Sequence, residues 1–234
     1  MLTEKREWDK EAFFQTGVDE IRQVMKHVEK LTLKASRGKA LDFGCGPGRL
    51  TQALATYFDH VYGVDIAPSL LELARVYNQF GERCTYCLNE VGDLGVFGDQ
   101  TFDFVYSARV LMHMDPRIAK NYTREFLRLL KPEGMLVFQV PSRYLYGIKR
   151  AKTRGPWLSF YVPEFLSEAL SQLSLLTIRR GLQTVHRMEV HGIRKNSVVS
   201  LIEQNRGRVL EIVKDNKVPG WESFSYYCMS AREG

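Results

Sequence analysis

The chain has 234 residues, 44% hydrophobic and 26% charged, with a formal net charge of +6. That length suits one generous α/β domain with room for a core and a cap. No apolar run reaches the roughly 18 residues of a membrane span, and the charged start Met1-Leu-Thr-Glu-Lys-Arg-Glu-Trp8 is unlike a signal peptide. The expected setting is therefore cytoplasmic, with no membrane partner.

The first expected element is a helix in which Ile21, Val24, Met25, Val28 and Leu31 recur at helical spacing; the aromatics Trp8, Phe13 and Phe14 precede it. An apolar strand, Lys39 to Phe43, then runs into Gly44, Gly46 and Gly48, followed by a helix-like run from Arg49 to Phe58. Glycines at such a turn let backbone approach a ligand without a Cβ in the way. The helix N-terminus beyond them offers N–H groups and a positive dipole end to an anionic group. A dinucleotide fingerprint would place its third glycine where Arg49 stands, and Asp42 can face an ammonium, which a pyrophosphate site would not favour.

Val61 to Asp65 reads as a second strand ending in a carboxylate, the position that pairs with ribose hydroxyls. Pro68 suits an early helical position, with Leu70, Leu71, Ala74 and Tyr77 as the apolar face. Cys84 to Leu88 is the third strand. Its Cys84-Thr-Tyr-Cys87 spacing matches a redox or zinc half-site, but residues three apart on a strand point to opposite faces, and no second pair completes a metal site. Phe102 to Ser107 is the fourth strand, and Ile118, Tyr122, Phe126, Leu129 and Leu130 line the next helix. Lys131-Pro-Glu-Gly134 stops that helix, and Met135 to Val140 forms the fifth strand.

Taken together, Leu41-Asp-Phe-Gly-Cys-Gly-Pro-Gly48, Val61-Tyr-Gly-Val-Asp65, Thr101-Phe-Asp-Phe-Val105 and Leu129-Leu-Lys-Pro-Glu-Gly134 resemble the class I S-adenosylmethionine-dependent methyltransferases, most of all the group acting on small molecules. The resemblance implies an α/β, Rossmann-like fold: a seven-stranded, mostly parallel sheet with helices on both faces and a cap insertion after the fifth strand. It divides the chain into an N-terminal helical lid (1–37), a cofactor-binding core (38–140), a substrate-cap insertion (141–192) and a C-terminal helix with an antiparallel strand pair (193–234). The helix is expected at Asn196 to Glu203, and the strands at Arg208 to Lys214 and Phe224 to Ser230.

Carried over by position, Gly44, Cys45 and Gly46 approach the methionyl part of S-adenosylmethionine through backbone, and Asp42 lies near its ammonium. Asp65 takes both ribose hydroxyls, Ile66 lies against the adenine, and Asn89 and Glu90 reach its edge, with Asp93 as a competing assignment. Ser107 and Arg109 lie near the sulfonium or the methionyl amine. S-adenosylhomocysteine is the implied product.

Histidine titrates near operating pH, so it is the first residue type to consider for a general base. His113 follows the fourth strand, and His191 lies where the cap rejoins the core; His186 and His191 fall on opposite faces of a strand. His27 and His60 read as surface residues. Ser107-Ala-Arg-Val110 lacks the Asn/Asp-Pro-Pro-Tyr/Phe of base-amine and glutamine methyltransferases, as well as the aspartate of magnesium-dependent catechol-type enzymes. The expected reaction is a metal-independent transfer to oxygen or nitrogen of a small metabolite, acidic or aromatic. Ten basic residues between Pro141 and Lys195 face only Glu164, Glu168 and Glu189. This keeps open an RNA methyltransferase reading through the aromatic, basic stretch from Arg143 to Trp157. A non-catalytic partner subunit with the same fold is the third alternative. Neither the acceptor nor the oligomeric state is legible.

Overall fold

A computed structural model describes residues 9–31, 36–145, 190–215 and 217–231. Trp8, His186, the stretch from Tyr146 to Trp157 and the expected helix from Pro163 lie outside the described residues. Seven strands, β1 (Lys39–Phe43), β2 (His60–Asp65), β3 (Cys84–Leu88), β4 (Phe102–Ser107), β5 (Leu130–Tyr144), β6 (Gly207–Asp215) and β7 (Trp221–Ser230), form one sheet in the order β3-β2-β1-β4-β5-β7-β6. β7 is antiparallel to both its neighbours, while β1 to β5 pair in parallel. The strand order reverses between β1 and β4, so a crevice opens beyond their carboxyl ends. That switch point is where open α/β sheets bind ligands.

Helices cover both faces. α1 (Lys10–Leu31), α2 (Arg49–Leu54) and α3 (Pro68–Tyr77) share one core with Phe104, Tyr106, Val137 and Tyr227. On the other face α4 (Pro116–Leu129) and α5 (Lys195–Gln204) pack over Phe43, Phe138 and Tyr226. α4 starts cleanly because Asp115 accepts a hydrogen bond from the Arg117 N–H and Pro116 occupies the first helical turn.

Six local expectations are revised. α1 begins at Lys10, not near Ile21, because the Asp9 carboxylate takes the Ala12 N–H at 2.8 Å and caps a helix that carries Phe13 and Phe14. α2 ends at Leu54, where the Arg83 guanidinium takes the carbonyls of Ala55 and Phe58 that a longer helix would have used internally. β5 begins at Leu130, which pairs with Phe102; Glu133 adopts a left-handed φ of 61°, and the register shifts before Met135 resumes opposite Phe104. Ile118 is 47% exposed and does not line the packed face of α4. His60 is also half-buried on β2, bonded to the Thr85 hydroxyl at 2.9 Å, and half-buried His27 meets Glu211 at 2.8 Å.

Candidate active site

The carboxyl end of β1 feeds a loop stitched to β2, with Gly44 and Cys45 both donating N–H bonds to the Val64 carbonyl, at 2.7 and 3.0 Å. Gly44 has φ 78°, and a Cβ there would fall 2.1 Å from Val110 Cγ2, so this position admits glycine alone. Gly46 also has positive φ, but a Cβ on it would meet nothing within 4 Å. The loop is therefore pinned at Gly44 and open at Gly46.

Asp65 closes β2 and secures that open stretch. Its Oδ2 accepts from the Gly46 N–H at 2.8 Å and its Oδ1 from the Ala67 N–H at 2.9 Å. The neighbouring Ile66 leaves 69% of its surface exposed beside the crevice. Beneath the loop Asp42 is 1% exposed; its Oδ2 accepts from the Thr51 hydroxyl at 2.7 Å and its Oδ1 has no hydrogen-bond partner. Burial pushes the Asp42 carboxyl up to about 7. Cys45 is buried next to it, and burial drives its thiol well above the ordinary range, so it stays a thiol rather than a thiolate.

Past β3, Asn89 is buried and its amide donates to the carbonyls of Val91 and Asp93, both at 3.0 Å, and to the Tyr122 hydroxyl. It builds the loop from inside, while Glu90 stands exposed on the rim. The Asp93 carboxylate takes the Gly95 N–H at 3.0 Å. At the end of β4 the Ser107 hydroxyl donates to the Phe43 carbonyl at 3.2 Å, tying the two strands that flank the switch point. Arg109 follows with a left-handed φ of 62°, rare for a side chain with a Cβ.

That strained backbone aims Arg109 at Glu20 on α1, a residue the sequence reading missed. Glu20 Oε2 accepts from Arg109 at 2.7 Å and from Arg49 at 3.0 Å, while Oε1 accepts from the Tyr106 hydroxyl at 3.0 Å and lies 3.5 Å from Lys217 Nζ. Burial alone would raise this carboxyl, but Arg109, Arg49 and Lys217 outweigh it and hold it down to about 2. A signal was present. Glu20 lies three residues after buried Gly17 and four before buried Val24, so it is a charge on the packed stripe of an amphipathic helix. Gly17 makes the approach possible, since a Cβ there would sit 2.5 Å from the Arg49 carbonyl.

The two histidines fall on the same edge. The His191 N–H donates to the Met112 carbonyl at 2.8 Å, setting His191 alongside the 3-10 turn Leu111–His113. The Ile193 N–H donates to the Pro141 carbonyl at 2.8 Å, and Gly192 passes so close that a Cβ would lie 2.7 Å from Trp221 Cζ3. Among the described residues no group of three or more His, Cys, Asp or Glu side chains is placed to hold a metal ion.

A glycine loop at the switch point, an acid closing β2 and the 3-2-1-4-5-7-6 sheet resemble the cofactor-binding half of class I S-adenosylmethionine-dependent methyltransferases. Comparison with known proteins agrees: residues 41–138 match the family model described as a methyltransferase domain. A ubiquinone biosynthesis O-methyltransferase of Xylella fastidiosa is 33% identical over 131 residues, which cover 55% of this chain and 52% of that protein. The chain thus spans about half the length of curated relatives of this kind. The Bordetella pertussis protein of the same name is 26% identical over 218 residues, 86% of this chain and 88% of that one. Among solved structures, the magnesium protoporphyrin IX methyltransferase of Synechocystis with bound S-adenosylhomocysteine superposes with a TM-score of 0.60 at 16% identity, over 98% of this chain and 90% of that one; it shares the fold.

Proposed function

We propose that the protein transfers a methyl group from S-adenosylmethionine to an oxygen or nitrogen of a small metabolite. The observation that carries this reading is Gly46, whose open space lies beside a backbone N–H held by the Asp65 carboxylate. Three features of the crevice fit the cofactor. Gly46 leaves room for a methionyl group, the buried and unpartnered Asp42 Oδ1 suits an ammonium, and exposed Ile66 offers an apolar face to an adenine.

When bound, S-adenosylmethionine supplies a methyl carbon already activated by its sulfonium. What remains for the protein is to align the acceptor with that carbon and to exclude water. Asp65 accepts from the ribose hydroxyls with the lone pairs left after its two backbone bonds, since a carboxylate has about four acceptor sites. Gly44, Cys45 and Gly46 line the methionyl group with backbone. Asn89 shapes the loop under the adenine edge, with Glu90 on its rim, while Ser107 and Arg109 flank the sulfonium end. His191 takes the acceptor's proton where it has one to lose, and His113 lies on the turn beside it. α1 acts as a lid clasped over the glycine loop through Glu20.

Calorimetry tests this directly. S-adenosylhomocysteine should bind with one-to-one stoichiometry, and the protein should move label from the cofactor into a component of a metabolite extract. Absence of binding would sink the reading.

A further inference from the structure

The face of the sheet under α1 is apolar as far as Val137 and Tyr227 and then turns polar at the carboxyl ends of β4 and β5. There Tyr106, Ala108, Val137, Gln139, Lys217 and Ser225 line a cavity of about 20 Å³, between the end of β4 and the segment joining β6 to β7. Gln139 is 4% exposed; its Nε2 donates to Asp215 Oδ1 at 3.0 Å and to the Ser223 hydroxyl at 3.3 Å, but its Oε1 has no partner. The amide cannot be turned the other way round, because its oxygen would then face a carboxylate, which only accepts. Asp215 is itself fixed by Ser225, whose hydroxyl donates to Oδ2 at 2.8 Å. A rigid, buried acceptor is thus held open in a cavity that Lys217 also lines; its ammonium, 3.5 Å from Glu20 Oε1, only donates and has hydrogens left for a further acceptor.

We infer that Gln139 and Lys217 form a subsite for a hydroxyl group of the methyl acceptor, so that this proposal rests on the methyltransferase reading and narrows it. A hydroxyl is the group that satisfies both sides at once: its hydrogen goes to Gln139 Oε1 and its oxygen accepts from Lys217 Nζ. The cavity seats one oxygen atom, because a water-sized group needs roughly 10–15 Å³ and nothing much larger fits. Leaving the Gln139 carbonyl unpaired is costly, and a ligand that supplies the donor recovers that cost. A methyl ether or a plain hydrocarbon supplies no hydrogen and leaves the cost in place. Such a site selects by what it penalises.

A trapped water offers the same chemistry, so the test compares phenol with anisole, its methyl ether. Both are titrated into the full chain with and without S-adenosylhomocysteine, following the Gln139 side-chain amide by nuclear magnetic resonance. Phenol should shift that amide and bind about tenfold more tightly than anisole. Gln139→Leu should abolish the preference, as should Lys217→Met on the exposed segment should the first variant fail to fold. Equal binding of the two probes, or a preference that survives both variants, overturns the subsite; a Gln139 amide unmoved by phenol assigns the cavity to a structural water only. Binding of S-adenosylhomocysteine in the same samples reports on the methyltransferase reading separately.

Discussion

Asp42 carries its titration into the working range, and that has a consequence for the cofactor. Below about 7 its carboxyl holds a proton in the free protein. An ammonium seated against Oδ1 favours the carboxylate, so binding expels that proton and the affinity for S-adenosylhomocysteine should rise with pH. Calorimetry should show it weakening by up to about tenfold per unit as pH falls below 7, with proton release that Asp42→Asn abolishes. A pH-independent affinity would remove Asp42 from the ammonium. Asp65 acts through hydrogen bonds, since each of its oxygens already accepts from a backbone N–H group. Asp65→Ala removes charge-assisted bonds worth about 1.5–3 kcal/mol each, and cofactor affinity should fall roughly a hundredfold while the thermal transition persists. For the histidines the expected split is kinetic: His191→Ala should lower turnover by about a hundredfold and leave cofactor affinity within a factor of about two. Unchanged turnover would mean that no base is drawn from that edge.

At the scale of elements, α1 is fastened to the ligand-binding edge by one acid. Glu20 gathers a residue from the glycine-loop helix, two from the end of β4 and its following turn, and one from the β6–β7 connection. Removing the carboxylate leaves the largely buried Arg49 and the half-buried Arg109 without their counter-charge, so Glu20→Gln should cost about 3 kcal/mol, which lowers the melting temperature by roughly 10 °C. Cofactor affinity should fall with it if α1 is a lid; an unchanged affinity would make the helix purely structural. The sequence displayed the strands better than this clasp. β1, β3 and β4 end where apolar runs meet Gly44, Asn89 and Ser107, because sharp composition edges coincide with loss of ladder bonds. Glu20 was hidden because its partners lie 29 to 197 residues away, and no local pattern carries such a pairing. The early start of α1 was readable in Asp9, but the aromatics beside it drew attention to a separate segment.

Across the whole molecule the two unusual carboxyls pull stability in opposite directions. Glu20 titrates near 2 when folded against 4.5 when unfolded, so its contribution is complete above pH 4.5 and is lost as pH falls toward 2. Asp42 rises from 3.8 to about 7, so its contribution is present below pH 3.8 and is lost as pH climbs through 7. An ammonium at Asp42 offsets the second loss, and S-adenosylhomocysteine should therefore raise the melting temperature more at pH 8 than at pH 6. Thermal scans at the two pH values check this; equal shifts would contradict it. The glycine loop and Asp65 announce the cofactor in the sequence because they are local motifs. The acceptor side is not local: Gln139, Asp215, Lys217 and Ser225 come from three strands and a connection, and only the sheet register joins them.

The hydrogen bond from Ile193 to the Pro141 carbonyl has a meaning for how such a chain can change. Pro141 lies near the end of β5 and Ile193 just ahead of α5, so the chain between them is tied to the core near both of its ends. Loop-closure entropy grows only slowly with length, by about 0.6 kcal/mol per doubling, so the tied ends tolerate very different excursions between them. A change in the length of the chain between those ends should therefore leave the β1–β2 loop as it is.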